Sequence, residues 1–215
     1  MNITILCSTD KHPVNKWLDQ WVAKQSEFHD VNIIHSTQEL TAGDILFLIS
    51  CSDILTEDDR KPYNNVLVIH ASDLPRGRGW SPYVWEIIGG ATKLTLSLLE
   101  ADDDVDSGDI WKKIKIDILK TDLYDEINKK IFDAEMVLMD FAVKNINSVK
   151  PIKQESSVVS TYYKKRTSED SKLDVNKSIK ENFNLIRTCD PLRFPAFFYY
   201  EGVKYKLFVE KDDEN

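Results

Sequence analysis

Short apolar runs alternate with polar turns along the first half of the chain. Residues 2–8, 31–35, 45–49 and 66–69 are rich in β-branched and aliphatic side chains, which is typical of parallel strands covered on both faces. Between the first two runs, apolar residues recur at spacings of three and four and predict a helix: Val14, Trp17, Leu18, Trp21 and Val22. This succession predicts an α/β fold, an open Rossmann-like and mostly parallel sheet with helices on both faces.

The same alternation continues past the middle of the chain. A helix is predicted over residues 82–88, and strands over 94–99 and 110–118 flank the acidic loop 100–109. A long helix follows, because one apolar face is formed by Leu123, Ile127, Ile131, Ala134, Leu138 and Phe141. We therefore expect the α/β part of the protein to occupy residues 1–148.

The last third of the chain has a different character. Residues 150–172 are polar and rich in Ser, Thr and Lys, which is typical of a long surface loop. Residues 174–187 predict a short helix, and 196–200 with 203–209 predict a β-hairpin. We expect residues 149–215 to form a C-terminal extension that consists of this loop, helix and hairpin.

Composition narrows the class of partner. The net charge is −8 and the basic residues are dispersed apart from Lys164-Lys165-Arg166, so a small molecule suits this chain better than a nucleic acid, whose binding depends on neutralising phosphates. Three cysteines without paired spacing predict neither a disulfide framework nor a metal site. No apolar run approaches a membrane span and the N-terminus lacks signal-peptide features, so we expect a cytoplasmic location away from membranes.

The stretch with the clearest chemistry begins where the fourth predicted strand ends. His70 is the last residue of this strand, and open α/β sheets bind ligands beyond the carboxyl ends of their strands. The following loop, residues 71–82, combines two arginines with glycines and prolines, which predicts a rigid and partly cationic wall. Further along, Asp106 lies in the acidic loop between two strands, within reach of a histidine at a neighbouring strand end. We predict that His70 and Asp106 share one site.

These residues resemble a known family, the folate-dependent formyltransferases. Its members have a histidine at a strand end, then Ser-x-Leu-Pro and, in one branch, Arg-Gly-x-x-Pro, with an Asp-x-Gly turn downstream. The matching positions in this chain are His70, Ser72, Leu74-Pro75, Arg78-Gly79, Pro82, Asp106 and Gly108. The resemblance is good over residues 45–110 and looser over the rest of the first 145.

Within the family, the chain most resembles short bacterial sugar N-formyltransferases. Methionyl-tRNA formyltransferases are similar in the loop but carry an additional C-terminal domain, which we do not expect here. The glycinamide ribonucleotide branch lacks the Arg-Gly-x-x-Pro ending that this chain shows at Arg78 to Pro82. The segments 162–166 and 194–197 also look like those of the sugar enzymes.

The resemblance implies an activity and a set of site residues. Residues 1–148 would be a formyltransferase catalytic domain that moves a formyl group from N10-formyltetrahydrofolate to the primary amine of a nucleotide-linked amino-dideoxy sugar, as in O-antigen biosynthesis. His70 and Asp106 would be catalytic, and no metal is required. The folate would lie along Ser50, Cys51, Ser52, Ile54, Leu55, Asp102 and Asp103. The acceptor would contact His12, Arg76, Arg78 and Trp80, and a homodimer is compatible with such a chain.

One position departs from the family pattern. Its members have an asparagine two residues before the histidine that helps to hold the oxyanion, whereas this chain has Val68, which cannot form a side-chain hydrogen bond. Asn64 has the same strand parity but would lie about 20 Å away. Ser72 is therefore the predicted third catalytic residue, with a backbone N–H as the alternative. Two further functions stay open: a formyltransferase with another amine acceptor, such as glycinamide ribonucleotide, or a non-catalytic binder of folate or nucleotide sugar.

Overall fold

A central six-stranded sheet organises the protein, whose computed structural model describes residues 1–212. The strand order is β2-β1-β3-β4-β6-β7. The strands in chain order are β1 (Asn2–Leu6), β2 (Asp30–Ile34), β3 (Gly43–Leu48), β4 (Tyr63–His70), the short β5 (Arg78–Gly79), β6 (Lys93–Glu100) and β7 (Ile110–Asp117). The first four sheet strands are parallel, while β6 and β7 are antiparallel to their neighbours. The predicted α/β fold with a mostly parallel sheet is confirmed.

The two faces of the sheet are covered unequally. The long helices α1 (Asn15–Gln25) and α4 (Tyr124–Asn145), with α3 (Pro82–Ile88), pack on the first face, where the core contains Ile5, Leu18, Phe47, Ile87, Leu98, Ile131 and Leu138. The second face packs around Leu46, Leu48 and Leu55. On this second face, the connection from β3 to β4 is a loop that contains the one-turn helix α2 (Glu57–Arg60). The first face therefore has three helices, whereas the second face has one short helix. The loop that contains this short helix can form part of a binding site.

The two long helices are fastened to each other by polar contacts as well as by packing. The indole N–H groups of Trp17 and Trp21 on α1 donate to the carboxylates of Asp133 and Asp140 on α4, each at 2.8 Å. Because tryptophan buries a large apolar surface and keeps one donor, this arrangement satisfies the donor at the edge of the core. None of the helices within residues 1–212 is long and apolar enough to cross a membrane.

The segment predicted as a surface loop is mostly exposed, and two short backbone pairings tie it to the α/β part. Ile152 pairs with Ile110 through two backbone hydrogen bonds. The strand β8 (Tyr162–Tyr163) then pairs in parallel with β5. Gly79 has a φ of 94°, and a β-carbon there would overlap the carbonyl oxygen of Tyr163, so only glycine permits this pairing. Two-residue strands carry no readable periodicity, which is why the sequence pattern did not predict them.

The end of the described chain agrees with the prediction. The helix α5 (Ile179–Ile186) is shorter than expected because Ser178 caps it: its side chain accepts from the Glu181 N–H, and its own backbone N–H donates to the Glu181 carboxylate. The hairpin of β9 (Ala196–Tyr200) and β10 (Val203–Leu207) turns at Glu201-Gly202, both with positive φ. Residues 213–215 of the predicted extension lie outside the described residues.

Candidate active site

His70 ends β4 with its imidazole held on both sides. The Nε2 atom lies 2.7 Å from the carbonyl oxygen of Gly77. Because a carbonyl oxygen only accepts, Nε2 must carry the hydrogen. The Nδ1 atom lies 3.4 Å from Oδ1 of Asp106, and each of the two side chains is only 8% exposed. The sequence prediction that His70 and Asp106 share a site therefore matches this geometry.

Asp106 is positioned by the turn that contains it. The loop between β6 and β7 curls back towards His70, and Asp106 adopts a positive φ of 55°. Its Oδ2 accepts a hydrogen bond of 2.8 Å from the backbone N–H of Gly79. A β-carbon at Gly108 would overlap the carbonyl oxygen of Glu100, so the Asp-x-Gly turn needs glycine to close against the end of β6.

A proton between Nδ1 of His70 and Oδ1 of Asp106 would make their contact attractive. With Nε2–H committed to Gly77, a neutral imidazole would present its Nδ1 lone pair to a carboxylate, which is repulsive. The contact becomes attractive when Nδ1 is protonated or when Asp106 carries the proton. A buried pair of this kind can accept a proton from a bound molecule and release it again, which is the chemistry of a general acid–base group.

A strap formed by residues 152–163 locks this pair in place. Gln154 Nε2 donates to the carbonyl oxygens of Asp106 and Gly108, at 2.7 and 3.0 Å. The guanidinium of Arg78 in turn donates to Gln154 Oε1 at 2.8 Å and to the Tyr162 hydroxyl at 3.1 Å. The strap thus links the loop after His70 to the loop that carries Asp106.

Gln154 gives a direct test of the strap. We expect Gln154→Met to lower the catalytic rate roughly tenfold, because the backbone of the Asp106 turn loses its two donors while the side-chain volume is kept. Glu155→Met, at the adjacent exposed position, serves as the matched control and should leave the rate unchanged. Equal rates for both variants in a formyl-transfer assay would show that the turn holds its own geometry.

A cavity of about 580 Å³ surrounds the pair and crosses the carboxyl edge of the sheet. Leu55, from the second-face core, and Phe132, from the first-face core, both line it, so it extends over the strand ends from one face to the other. The predicted site residues that line it are Ser50, Cys51, Ser52, Ile54, Leu55, Asp102, Asp103, His12, Trp80, His70 and Asp106. Val68, the departure from the family pattern, also lines it.

Three predicted residues lie elsewhere, and their expected roles need correction. Arg76 is exposed and outside the cavity lining, and Arg78 is occupied by Gln154 and Tyr162. Ser72 is fully buried behind His70, where its Oγ has no hydrogen-bond partner in the described chain. The backbone N–H of Ser72 donates to the His70 carbonyl, and the Ser72 side chain lies next to Gly77. Ser72 therefore does not replace the family asparagine in this geometry.

The first-face end of the cavity forms a pocket that sequence reasoning largely missed. We call it the inner pocket; it is bounded by His12, Tyr83, Tyr124, Phe132, Glu135, Asp190 and Arg193. Burial lowers the pKa of His12 to about 4, so its ring is neutral at pH 7. Asp190 accepts from the Tyr124 hydroxyl at 2.8 Å and pairs with Arg193 at 2.5 Å. Burial raises the pKa of Glu135 to about 8.

The donor set does not point to a metal. Within residues 1–212, no three His, Cys, Asp or Glu side chains come together in an arrangement that would hold a metal ion. The fold instead defines an α/β protein with a ligand cavity at the ends of its sheet strands. The His70–Asp106 pair lies in this cavity and is suited to proton transfer.

Comparison with known proteins gives the family. The family model described as formyl transferase matches residues 4–143, which include both His70 and Asp106. The chain belongs to the formyl transferase family. The methionyl-tRNA formyltransferase of Fusobacterium nucleatum is 28% identical over 193 residues, which cover 88% of this chain and 61% of that protein. The chain thus spans about three fifths of the length of this relative.

Solved structures share the fold over nearly the whole chain. A methionyl-tRNA formyltransferase from Clostridium thermocellum superposes with a TM-score of 0.84 at 22% identity, covering 100% of this chain and 95% of that one. A sugar N-formyltransferase from a Shewanella species superposes with a TM-score of 0.74 at 15% identity, covering 99% and 98%. At these identities the likeness concerns the fold, and the acceptor has to be argued from the site.

Proposed function

We propose that the protein transfers a formyl group from N10-formyltetrahydrofolate to the primary amine of a nucleotide-linked amino sugar. The observation that carries this proposal is the buried His70–Asp106 pair in the lining of a cavity that crosses the edge of the sheet. Such a cavity has room for two reactants, one on each face, with the proton-transferring group between them. Family membership supplies the reaction class.

The second-face end of the cavity fits a reduced folate. Its walls combine the apolar side chains of Leu48, Leu55 and Val68 with the backbone of residues 50–55. That backbone makes no hydrogen bond to another backbone segment of residues 1–212. Side chains bind the Ser52 N–H and the Leu55 carbonyl, and other backbone N–H and C=O groups can meet the edge of a flat heterocycle. Pteridine rings present such an alternating edge of donors and acceptors. The bound folate would supply the formyl group.

His70 and Asp106 would manage the proton of the reaction. An amine attacks as the free base: its nitrogen bonds to the formyl carbon and loses a proton, the bond from that carbon to N10 of the folate breaks, and N10 takes up a proton as tetrahydrofolate leaves. Both side chains line the cavity, so the pair can take up the proton that leaves the nitrogen. If Nε2–H exchanged the Gly77 carbonyl for an oxygen on which negative charge develops, burial would strengthen that hydrogen bond.

Cations in the cavity lining support a nucleotide-linked acceptor. Lys165 and Arg166 line the cavity, outside the set of residues that bounds the inner pocket, although the chain as a whole carries a net charge of −8. The buried Nε of Arg166 has no partner within the part of the chain that the structure describes. A local cationic group on an acidic protein suits a compact anion such as a diphosphate better than the long phosphate backbone of RNA.

A tRNA acceptor is the second candidate, because relatives named for that activity match the chain. The deciding experiment offers N10-formyltetrahydrofolate with amino-sugar nucleotides, methionyl-tRNA or glycinamide ribonucleotide and measures the formylated product. We expect turnover with an amino-sugar nucleotide. Turnover confined to methionyl-tRNA or glycinamide ribonucleotide would refute the sugar acceptor, and reduced-folate binding without turnover of any acceptor would favour a non-catalytic binder.

The folate end offers its own prediction through Arg60. This side chain lines the cavity, donates to the Leu55 carbonyl at 3.2 Å and pairs with Asp103, so it joins the two loops of the second-face end. We expect Arg60→Met to weaken the binding of tetrahydrofolate about tenfold in a titration, because both loops lose their common contact. Lys61→Met is the matched control, since Lys61 pairs only on the surface with Glu57 and Asp58. Equal affinities for both variants would argue against these loops as the folate site.

A further inference from the structure

Glu135 occupies an unusual position for an acidic residue. It lies on the buried stripe of α4, among Ile131, Phe132, Leu138 and Met139, and is only 6% exposed. Its Oε2 atom is fully buried and has no hydrogen-bond partner within residues 1–212. Leucine or methionine would continue the stripe at this position without leaving a polar atom unpaired.

A lone buried carboxyl destabilises a fold, because most buried polar groups have a hydrogen-bond partner and the loss of that partner is costly. Burial raises the pKa of Glu135 to about 8, so the group is a neutral carboxylic acid at pH 7. In that form it presents one donor and one acceptor. Glu135 also lines the inner pocket, which identifies a place where a bound molecule would supply the missing partner.

The other polar groups of the inner pocket are neutral or already paired. His12 accepts from the Val14 N–H through Nδ1, which leaves a neutral Nε2–H donor. Tyr83 donates to Asn128 Oδ1 at 3.1 Å. The charges of Asp190 and Arg193 compensate each other at 2.5 Å. A pocket built in this way is suited to uncharged hydroxyl or amide groups.

Glu135 and His70 line the same cavity. The cavity crosses the ends of the sheet strands, where β1 and β4, separated by β3, are about 10 Å apart. A hexose whose amine meets His70 would place its other ring substituents towards the inner pocket.

We propose that Glu135, as a neutral carboxylic acid, hydrogen-bonds an uncharged hydroxyl or amide substituent on the sugar ring of the acceptor and so selects the acceptor. This inference rests on the proposed function. It makes Glu135 a specificity-determining residue with no part in the transfer itself.

Acceptor binding would then depend on pH. The titratable and charged groups that surround Glu135 are Cys7 after β1, His12, Tyr83 on α3, Tyr124 on α4, Arg166, and the Asp190–Arg193 pair. The pKa of His12 is about 4, that of Cys7 is about 11 and that of Tyr124 is about 12. As the pH rises through about 8, Glu135 ionises and loses its donor, so the KM for the acceptor should rise.

Two substitutions test the proposal. Glu135→Gln keeps a neutral donor and acceptor, so the acceptor KM at pH 7 should stay within about twofold of the parent value and its rise above pH 8 should disappear. Glu135→Leu removes both groups, so the acceptor KM should rise at least about tenfold while kcat and tetrahydrofolate affinity are kept. The leucine variant should also melt at a higher temperature, because the unpaired carboxyl is gone.

The possible outcomes separate this inference from the proposed function. An unchanged acceptor KM in Glu135→Leu, or an equal loss of acceptor and tetrahydrofolate binding, would overturn the role of Glu135 even if the enzyme forms formylated sugar. Calorimetric titration with a nucleotide-linked acetamido sugar needs no turnover. Binding that is lost in the leucine variant and kept in the glutamine variant supports the inference even if no acceptor is formylated, and absence of binding to the parent protein refutes it.

Discussion

Asp106→Asn and His70→Ala should each lower the rate of formyl transfer at least about a hundredfold, the usual scale for a positioned proton-transfer group. The asparagine keeps the size of Asp106 and can still accept from the Gly79 N–H, but it removes the charge that faces Nδ1 of His70. The alanine removes the imidazole altogether. Initial rates at saturating donor and acceptor measure the effect.

The control for this pair comes from the same loop. Asp104 is exposed and does not line the cavity, so Asp104→Asn should leave the rate within about twofold of the parent value. Melting temperatures should show that all three variants fold. Near-parental turnover in both site variants would rule out His70 and Asp106 as the proton-transferring group.

Val68→Asn should raise the rate, by roughly ten- to a hundredfold, because one well-placed donor to a developing oxyanion is typically worth about that much. Val68 lines the cavity two residues before His70 and on the same strand face. Val68 has no side-chain donor, and the hydroxyl of Ser72 is fully buried and does not line the cavity. Comparison of kcat in the parent and the variant, with tetrahydrofolate affinity measured in parallel, provides the test.

Val66→Asn is the matched control, since Val66 lies on the same strand face and packs in the same core cluster but does not line the cavity. It should bring no gain in rate. If Val68→Asn also brings none, another donor already serves the oxyanion. If the parent protein is inactive and the variant gains formyl transfer, the natural chain binds its ligands without turnover because it lacks the family asparagine.

Regular patterns allowed most of the fold to be predicted. The four parallel strands are continuous apolar runs, and α4 carries an apolar stripe of helical period, so their burial is visible in the sequence. The sequence predicts His70 and Asp106 in one site because His70 ends a strand and Asp106 lies in the loop between two strands. The fold itself limits where such residues can lie. Loop side chains lack this constraint. Arg78 and Ser72 could therefore be placed in the loop but not oriented, and both turn away from the cavity.

The features that escaped prediction are those without a period. Gln154 lies in a polar segment, and its contact with the Asp106 turn spans 48 residues of chain. Glu135 carried a usable signal, however. It is an acid three residues before Leu138 and four after Ile131, on a stripe that was correctly predicted to be buried. An unpaired acid on an apolar stripe marks a site more reliably than a charged residue in a loop, because burial makes its presence costly.

The strap of residues 152–163 has a consequence for the order in which the protein acquires its active form during synthesis. The last strand of the main sheet ends at Asp117 and the helix α4 that covers its first face ends at Asn145, so both leave the ribosome before the strap does. Until the strap emerges, the Asp106 turn lacks the Gln154 donors and Gly79 lacks its β8 partner. We therefore expect a nascent chain whose sheet has already folded to be inactive in formyl transfer. The ligand cavity should reach its final shape late in translation.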